Sequence, residues 1–366
     1  MYQRWLTFDR VGHLKRRART FWKLASARRI RNYLLNRREF AAKKLVVESL
    51  PPKIIFDPAN VCNLRCPLCA TGAGALAQKS GYMRFDLFKK IFDQIRDDVA
   101  FVNLYNWGEP FLNPEIFKII EDVDKSGAIS HLHSNFSLKK QGLIEKIAES
   151  QLTTVVLSID GASETGYQTY RKRGDWNLVQ ENIRKFVAHR RRRGGKGPEI
   201  VWKFIVHRKN EHEVETVPEA ARAVGVDRLQ LTFMWADLVP GFDAPEEKER
   251  WAAEWMPVHH KEFAFDARRK PVFDRPCHFL WQDPVVNIDG TVLPCCFLHA
   301  PEHNFGDLKK QSFKEIWNND IYRYSRSLFS DEPYVGPPVK SPCTTCTLFR
   351  HRRPVVTDPV EVRTAA

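Results

Sequence analysis

Cys62, Cys66 and Cys69 stand in the run Asn60-Val61-Cys62-Asn63-Leu64-Arg65-Cys66-Pro67-Leu68-Cys69, just past an apolar stretch at residues 54–56 that reads as a β-strand. Three thiolates in one loop can hold three corners of a cubane iron–sulfur cluster, whereas the usual ferredoxin cluster is closed by a fourth cysteine. The remaining iron is then open to a small ligand, which means chemistry as well as electron transfer. Zinc is the plain alternative, but it normally asks for four ligands in paired spacings.

The other five cysteines are Cys277, Cys295, Cys296, Cys343 and Cys346, so none of the eight is isolated. Clustered cysteines in a long chain point to metal binding in a reducing compartment rather than to disulfides. The sequence opens Met1-Tyr2-Gln3-Arg4-Trp5 without an apolar signal core. No stretch approaches the ~18 apolar residues of a membrane span. The expected location is cytoplasmic.

From residue 51 onward, short β-branched runs alternate with helical segments, the signature of repeated βα units and a parallel sheet. Strands are expected at 54–56, 102–105, 129–133, 154–159, 200–206 and 229–233. Helices are expected at 85–95, 114–125, 143–150, 178–191 and 211–224, with a sixth, less regular, within 245–263. Parallel βα barrels place catalytic groups at the C-terminal ends of their strands, and the cysteine loop follows the first strand. Composition and periodicity by themselves support a parallel α/β domain.

The 366-residue chain carries a net charge of +14, and residues 1–50 hold fourteen Lys and Arg against three Asp and Glu. The excess therefore belongs to an N-terminal arm. Basic clusters there alternate with Trp5, Phe8, Leu14, Phe21, Trp22, Ile30 and Leu34, with no proline, so the arm reads as helical and amphipathic. It could lie on an anionic membrane or bind nucleic-acid phosphates. It could also pack its apolar stripe on the barrel and leave its charges in water.

Several motifs resemble the radical S-adenosylmethionine (radical SAM) superfamily. The x3/x2 cysteine spacing is similar to the family's cluster loop, in which the open iron binds the amino and carboxylate groups of SAM. One electron then yields methionine and a 5′-deoxyadenosyl radical. Asn106-Trp107-Gly108-Glu109-Pro110 looks like the family's Gly-Gly-Glu-Pro element that meets the SAM amino group, with Trp107 in place of the first glycine. Ser134-Asn135, Ser158-Ile159-Asp160-Gly161 and Tyr170-Arg171 look like further family elements. By that resemblance Ser158 and Arg171 touch the SAM ribose or carboxylate, and Asn135 and Asp160 line the same pocket. Capping and turn duties are the ordinary alternative for such residues. Val206 and Asn210 match the adenine-supporting strand only loosely. Leu68 stands where peptide-modifying members often have an aromatic residue, which tilts against a peptide substrate.

Residues 284–296 read as a strand, an Asp-Gly turn and a returning strand ending in Cys295-Cys296. With Gly290-x4-Cys295, the following Asn304-Phe305-Gly306-Asp307 and Cys343-x2-Cys346, this region resembles the SPASM/Twitch auxiliary-cluster domain. The resemblance implies that Cys277, Cys295, Cys343 and Cys346 hold one auxiliary [4Fe–4S] cluster and leaves Cys296 spare, with a zinc ribbon as the alternative.

The implied architecture is an α/β partial (β/α)6 TIM-like barrel at 51–235 and a connecting segment at 236–275. An auxiliary-cluster domain follows at 276–350 and a tail at 351–366, with the basic helical arm at 1–50 preceding the barrel. The cofactors implied are a SAM-binding [4Fe–4S] cluster held by Cys62, Cys66 and Cys69, one auxiliary [4Fe–4S] cluster, and SAM. The expected reaction is hydrogen abstraction from a small polar substrate such as a sugar, cyclitol or glycolipid, leading to oxidation or epimerisation. An electron donor such as flavodoxin or ferredoxin is the expected partner, with peripheral membrane contact left open by the arm and nucleic acid not expected. A peptide-modifying maturase is the second reading. A non-catalytic iron–sulfur or zinc protein that binds membrane or nucleic acid is the third, and it would have no need of the Gly108-Glu109 and Ser158/Arg171 elements.

Overall fold

A computed structural model describes residues 3–24, 26–76, 78–234, 245–264 and 273–352. The arm holds strand β1 (Arg4–Thr7) and helices α1 (Arg10–Leu24) and α2 (Ala27–Ala41). Six βα units follow: β2 (Lys53–Phe56), α3 (Phe85–Phe92), β3 (Phe101–Leu104), α4 (Ile116–Ser126), β4 (Ile129–Ser134), α5 (Leu143–Glu149), β5 (Thr154–Ser158), α6 (Glu164–Tyr170), α7 (Trp176–Arg192), β6 (Glu199–Val206), α8 (Val217–Val224), β7 (Arg228–Phe233) and α9 (Pro245–Trp255). The C-terminal region comprises α10 (Phe279–Gln282), β8 (Val285–Val286), β9 (Thr291–Leu293), β10 (Gly306–Asp307), α11 (Phe313–Trp317) and α12 (Asp320–Ser327).

All strands join one sheet in the order β1-β7-β6-β5-β4-β3-β2-β8-β9-β10. Strands β2 to β7 are parallel and adjacent in sequence order, as a singly wound partial barrel requires, and the sheet stays open between its two edges. Period-two alternation divides each strand. Ile54, Phe56, Val102, Leu104, Val155, Leu157, Trp202 and Phe204 enter the helix-covered core. Their neighbours Lys53, Tyr105, His133, Ser158 and Lys203 therefore face the concave side. On the outer side α3 brings Phe88 within 4.8 Å of Phe56, edge to face.

The expected SPASM-like hairpin forms by β8 and β9 pairing antiparallel, with Val285 opposite Leu293. Asn287 closes its loop through N–H donation to the Thr291 carbonyl, and Gly290 takes the left-handed conformation at φ 85°. Strand β8 also pairs in parallel with β2, so the hairpin extends the barrel sheet directly. The guanidinium of Arg326, fully buried, donates to the carbonyls of Leu280 and Leu45, tying α12 to α10 and to the end of the arm.

The arm departs from its expected form in two ways. Residues 4–7 are a strand, not a helix, because the free edge of β7 offers them an antiparallel ladder, with Trp5 opposite Gln230. Both helices also turn polar faces inward. From α1, His13 meets Glu199 at 2.8 Å and Arg16 lies 3.3 Å from Asp227. From α2, Arg29 donates to the Val99 carbonyl, Asn32 to that of Leu50 and Asn36 to that of Trp281. Leu14 and Leu34, which the packing alternative would set against the barrel, are 65% and 49% exposed. The side chains of Phe21 and Trp22 lie outside the described residues, as do the tail from residue 353 and residues 235–244 and 265–272 of the connecting segment.

Candidate functional site

The loop after β2 carries Cys62, Cys66 and Cys69, and its ends are fixed by hydrogen bonds rather than by regular structure. Asn60 donates to the Lys79 carbonyl at 2.9 Å and accepts from Gly81 N–H at 2.7 Å. Arg65 N–H donates to the Lys172 carbonyl, just beyond α6. Cys69 N–H donates to the Cys66 carbonyl in a tight turn. The three thiols face one another closely enough that charge on one disfavours charge on the next. Burial first, then the Glu109 charge and these thiols, push Cys62 up to about 12, and burial, against the Arg171 charge, pushes Cys66 up to about 11. Thiols in such a place ionise only when a cation is supplied, which is what iron does.

Gly108 lies flat against this loop. A Cβ there would stand 2.0 Å from the Ala59 carbonyl oxygen, so only glycine permits the contact. Glu109 N–H donates to the Val61 carbonyl at 2.9 Å. The Glu109 carboxylate turns inward, 1% exposed, and accepts from Asn135 N–H at 2.7 Å and Phe111 N–H at 3.3 Å. Burial pushes it up to about 7 against these hydrogen bonds and the nearby Arg171 charge, with Ser134 beside it. Asn135 completes the link by donating from Nδ2 to Asn63 at 2.9 Å and to the Cys62 sulfur at 3.6 Å.

A second group gathers at the ends of β5 and α6. Arg171 grips the fully buried Asp160 through Nε and an NH2 at 2.6 Å each, and its other terminal nitrogen lies 3.8 Å from the Cys66 sulfur. Asp160 is also held by Ile205 N–H at 2.8 Å. Asn210 donates to the carbonyls of Asp160 and Ile205. Gly108, Glu109, Ser134, Asn135, Asp160 and Arg171 thus surround the cysteine loop. Ser158 stands apart on the concave face, beside Lys203 in register.

The connecting segment supplies part of this site that its sequence left unassigned. Trp251 and Trp255 of α9, 4% and 5% exposed, pack with Leu64, Cys66, Leu68 and Tyr170. His207 lies edge to face with Trp255 at 5.4 Å. Glu211 anchors the chain beyond α9 by accepting from the backbone N–H groups of Val258, His259 and His260. A tryptophan pair in a charged segment was the available signal, but not where it would fold.

Cys277, Cys295, Cys343 and Cys346 line one cavity of about 430 Å³, open mouth included, walled by Phe279, Phe297, Phe329 and Phe349. Burial together with their like charges pushes the Cys277 and Cys295 thiols well up and Cys343 up to about 12. A chamber lined by four cysteines and apolar walls suits a [4Fe–4S] cluster, which takes four thiolates. Cys296 is not in that wall. It packs by Ile55, Val285 and Leu293 on the concave side of the sheet and faces Asp283, Lys53 and Lys203. Trp107 of the first site meets His299 of the C-terminal region edge to face at 5.5 Å.

A parallel partial barrel with three cysteines at the top of its first strand, followed by a four-cysteine chamber, defines an enzyme of the radical SAM class. Family profiles agree: that of the radical SAM superfamily matches residues 57–231, and that of the SPASM iron–sulfur cluster-binding domain matches residues 277–347. The chain belongs to the radical SAM superfamily and carries a C-terminal SPASM domain. Its cofactors are a SAM-binding [4Fe–4S] cluster, an auxiliary cluster and SAM.

One relative, the tungsten-containing aldehyde ferredoxin oxidoreductase cofactor-modifying protein of Pyrococcus furiosus, is 24% identical over 322 residues, covering 81% of this chain and 87% of its own. The AdoMet-dependent heme synthase of Methanosarcina barkeri is 21% identical over 318 residues, covering 77% and 86%. Among solved structures, Streptococcus suis SuiB bound to S-adenosylmethionine superposes with a TM-score of 0.58 at 15% identity, covering 81% of this chain and 71% of its own. Native anSMEcpe with bound AdoMet gives 0.50 at 17%, covering 73% and 81%. These likenesses establish the fold. Among the described residues no helix is long and apolar enough to cross a membrane.

Proposed function

We propose that this enzyme takes a hydrogen atom from a small polar molecule bearing an acidic group, bound in the barrel lumen between the two cysteine sites. The Lys203 ammonium carries the reading. It is half-buried on the concave face, and Asp160, the acid that acts on it, is already committed to Arg171 at 2.6 Å. Desolvation pulls Lys203 below the usual lysine range, and a partly desolvated cation that makes no ion pair among the described residues is costly. A substrate carboxylate or phosphate supplies one. Lys53, by contrast, already has its partner in Asp283 at 2.5 Å.

Tyr105 and His133, stacked at 3.7 Å on the same face, offer a hydroxyl and a ring held neutral by burial and by the neighbouring Lys203 charge. Such a pair suits hydroxyl or carbonyl groups. When bound, the clusters supply one-electron chemistry: reductive cleavage of SAM to a hydrogen-abstracting 5′-deoxyadenosyl radical at the first, and acceptance of an electron at the second. Cys62, Cys66 and Cys69 would hold the first, and Cys277, Cys295, Cys343 and Cys346 the second. Glu109 receives the SAM amino group, which restores its charged form. Arg171, steadied by Asp160, would receive the carboxylate, with Asn135 lining the same pocket and Ser158, farther along the concave face, offered to the ribose. Trp251 and Trp255 keep water from the cysteine loop.

The relatives named a cofactor-modifying protein and a heme synthase support a small-molecule substrate over a peptide. Net oxidation is the first reading. Epimerisation is the second, favoured by the Cys296 thiol on the lumen face, where it can return a hydrogen atom, the thiyl left behind being reduced by one electron from the external reductant through the auxiliary cluster and one proton from water.

The test uses anaerobically reconstituted protein with SAM, dithionite and polar metabolites separated by anion exchange. Formation of 5′-deoxyadenosine should be stimulated by the anionic fraction. Lys203→Met should lose that stimulation while retaining substrate-free cleavage. Stimulation by the neutral fraction alone would refute the acidic substrate, and absence of 5′-deoxyadenosine from the wild type would refute the radical reading.

A further inference from the structure

Both helices of the arm are built inside out, and both lie at the same end of the barrel. Helix α1 engages Glu199, the first residue of β6, and Asp227, just before β7, through His13 and Arg16. Helix α2 engages Leu50, just before β2, and Asp98 and Val99, just before β3, through Asn32 and Arg29. These are the N-terminal ends of the strands. The cysteine loop, Glu109, Asn135 and Asp160 all follow C-terminal ends, so the arm forms the base of the barrel, opposite the catalytic mouth.

With polar side chains holding the base, apolar ones point outward. On α1, Val11 and Leu14 are each 65% exposed; on α2, Ile30 and Leu34 are each 49% exposed, one turn apart. Single exposed apolar residues are ordinary. Here they recur on two helices whose inward positions, among the described side chains, include His13 and Arg16 on α1 and Arg29, Asn32, Asn36 and Glu39 on α2. Exposed charge on the helices themselves is basic among the described residues: Arg10 and Lys15 on α1, Arg31, Arg37 and Arg38 on α2, with Arg28 engaged by Asp97 and Asp98. The sole acid in either helix, Glu39, is buried and bonded to the backbone N–H groups of Glu48 and Ser49. Apolar side chains flanked by long basic ones are what an anionic bilayer surface receives, with the apolar groups entering the acyl boundary and the cations reaching phosphates.

We infer that the base of the barrel, through the outer faces of α1 and α2, docks on an anionic membrane surface and holds the catalytic mouth toward water. Trp5 and Phe8 take no part: Trp5 lies under Arg228 at 4.1 Å, and Phe8 packs on the core beneath Arg222. The orientation implies a substrate that arrives from water, whatever its identity, so the inference stands independently of the lumen chemistry.

The experiment is co-sedimentation of full-length reconstituted protein with vesicles of phosphatidylcholine alone or mixed with phosphatidylserine. Binding should require phosphatidylserine and fall with salt, since each basic group near the surface contributes roughly fivefold in partitioning. Two variants divide the face, Leu14→Glu/Ile30→Glu/Leu34→Glu and Arg31→Gln/Arg37→Gln/Arg38→Gln. Both alter exposed positions, so iron content and substrate-free SAM cleavage should stay at wild-type levels while vesicle binding is lost. Absence of wild-type binding, equal binding to neutral vesicles, or full binding by the glutamate variant would overturn the inference. The last outcome would mark a merely electrostatic patch, and the first would leave the face to an acidic protein partner.

Discussion

Replacing Gly108 with alanine probes the first site where it is packed most tightly. The added Cβ would stand 2.0 Å from the Ala59 carbonyl oxygen and 2.6 Å from that of Val61, where unstrained contacts need ~3.5 Å. Both obstacles are backbone and cannot rotate aside, so the segment must lift from the cysteine loop. Lifting breaks the Glu109 N–H bond to the Val61 carbonyl and draws the carboxylate away from Asn135 N–H. Loss of a buried hydrogen bond costs ~1–3 kcal/mol, and overpacking adds ~1–3 kcal/mol. Even ~2 kcal/mol charged against SAM binding weakens it roughly thirtyfold. Gly81→Ala is the control, because its Cβ would meet only the Ile288 side chain, at 3.5 Å. Anaerobic SAM titration, followed by the spectrum of the reduced cluster and referenced to iron content, reads the effect. Wild-type affinity in Gly108→Ala would refute the argument that this backbone contact shapes the SAM pocket.

Cys343→Ala should lose the auxiliary iron, about four atoms, and abolish product while substrate-free SAM cleavage persists; iron analysis with product assay reads that uncoupling. Cys295→Ala should do the same and Cys296→Ala should keep all its iron, because Cys295 lines the chamber and Cys296 does not. Asp57, fully buried with Oδ2 unpartnered, is pushed up from 3.8 to about 8, chiefly by burial. The folded protein then binds a proton there that the unfolded chain has released, so stability should fall as pH rises from about 4 to about 8. Denaturant unfolding of the apoprotein should show that slope, and Asp57→Asn should flatten it; an unchanged slope would contradict the placement.

The barrel strands were legible because apolar residues facing the helices recur at every second position, as at Val155 and Leu157, and β-branched runs break cleanly at turns. The grouping of Cys62, Cys66 and Cys69 was legible because all three fall in one loop, whereas Cys277, Cys295, Cys343 and Cys346 are brought to one cavity by tertiary structure. The arm was not. Arg4–Thr7 becomes a strand only because β7 has a free edge, which is a tertiary fact. Helix α2 carries an apolar stripe that sequence leaves free to face barrel, membrane or solvent, whereas carbonyls at Leu50, Val99 and Trp281 on the barrel base take Asn32, Arg29 and Asn36 as the inward face. Lys203 likewise gave no signal, since a lysine inside a β-branched run gains meaning only when strand alternation turns it into the lumen. The division of labour between Cys295 and Cys296 depends on which face of the hairpin each leaves, which adjacency in sequence hides.

The central claim, an open cluster at Cys62, Cys66 and Cys69 that activates SAM, is tested most directly by replacing all three with alanine and measuring iron and 5′-deoxyadenosine together under anaerobic reducing conditions. The wild type should hold about eight irons and form 5′-deoxyadenosine, and the variant should hold about four and form none. If the variant still cleaved SAM, or kept the full iron content, the assignment of these three cysteines would be contradicted.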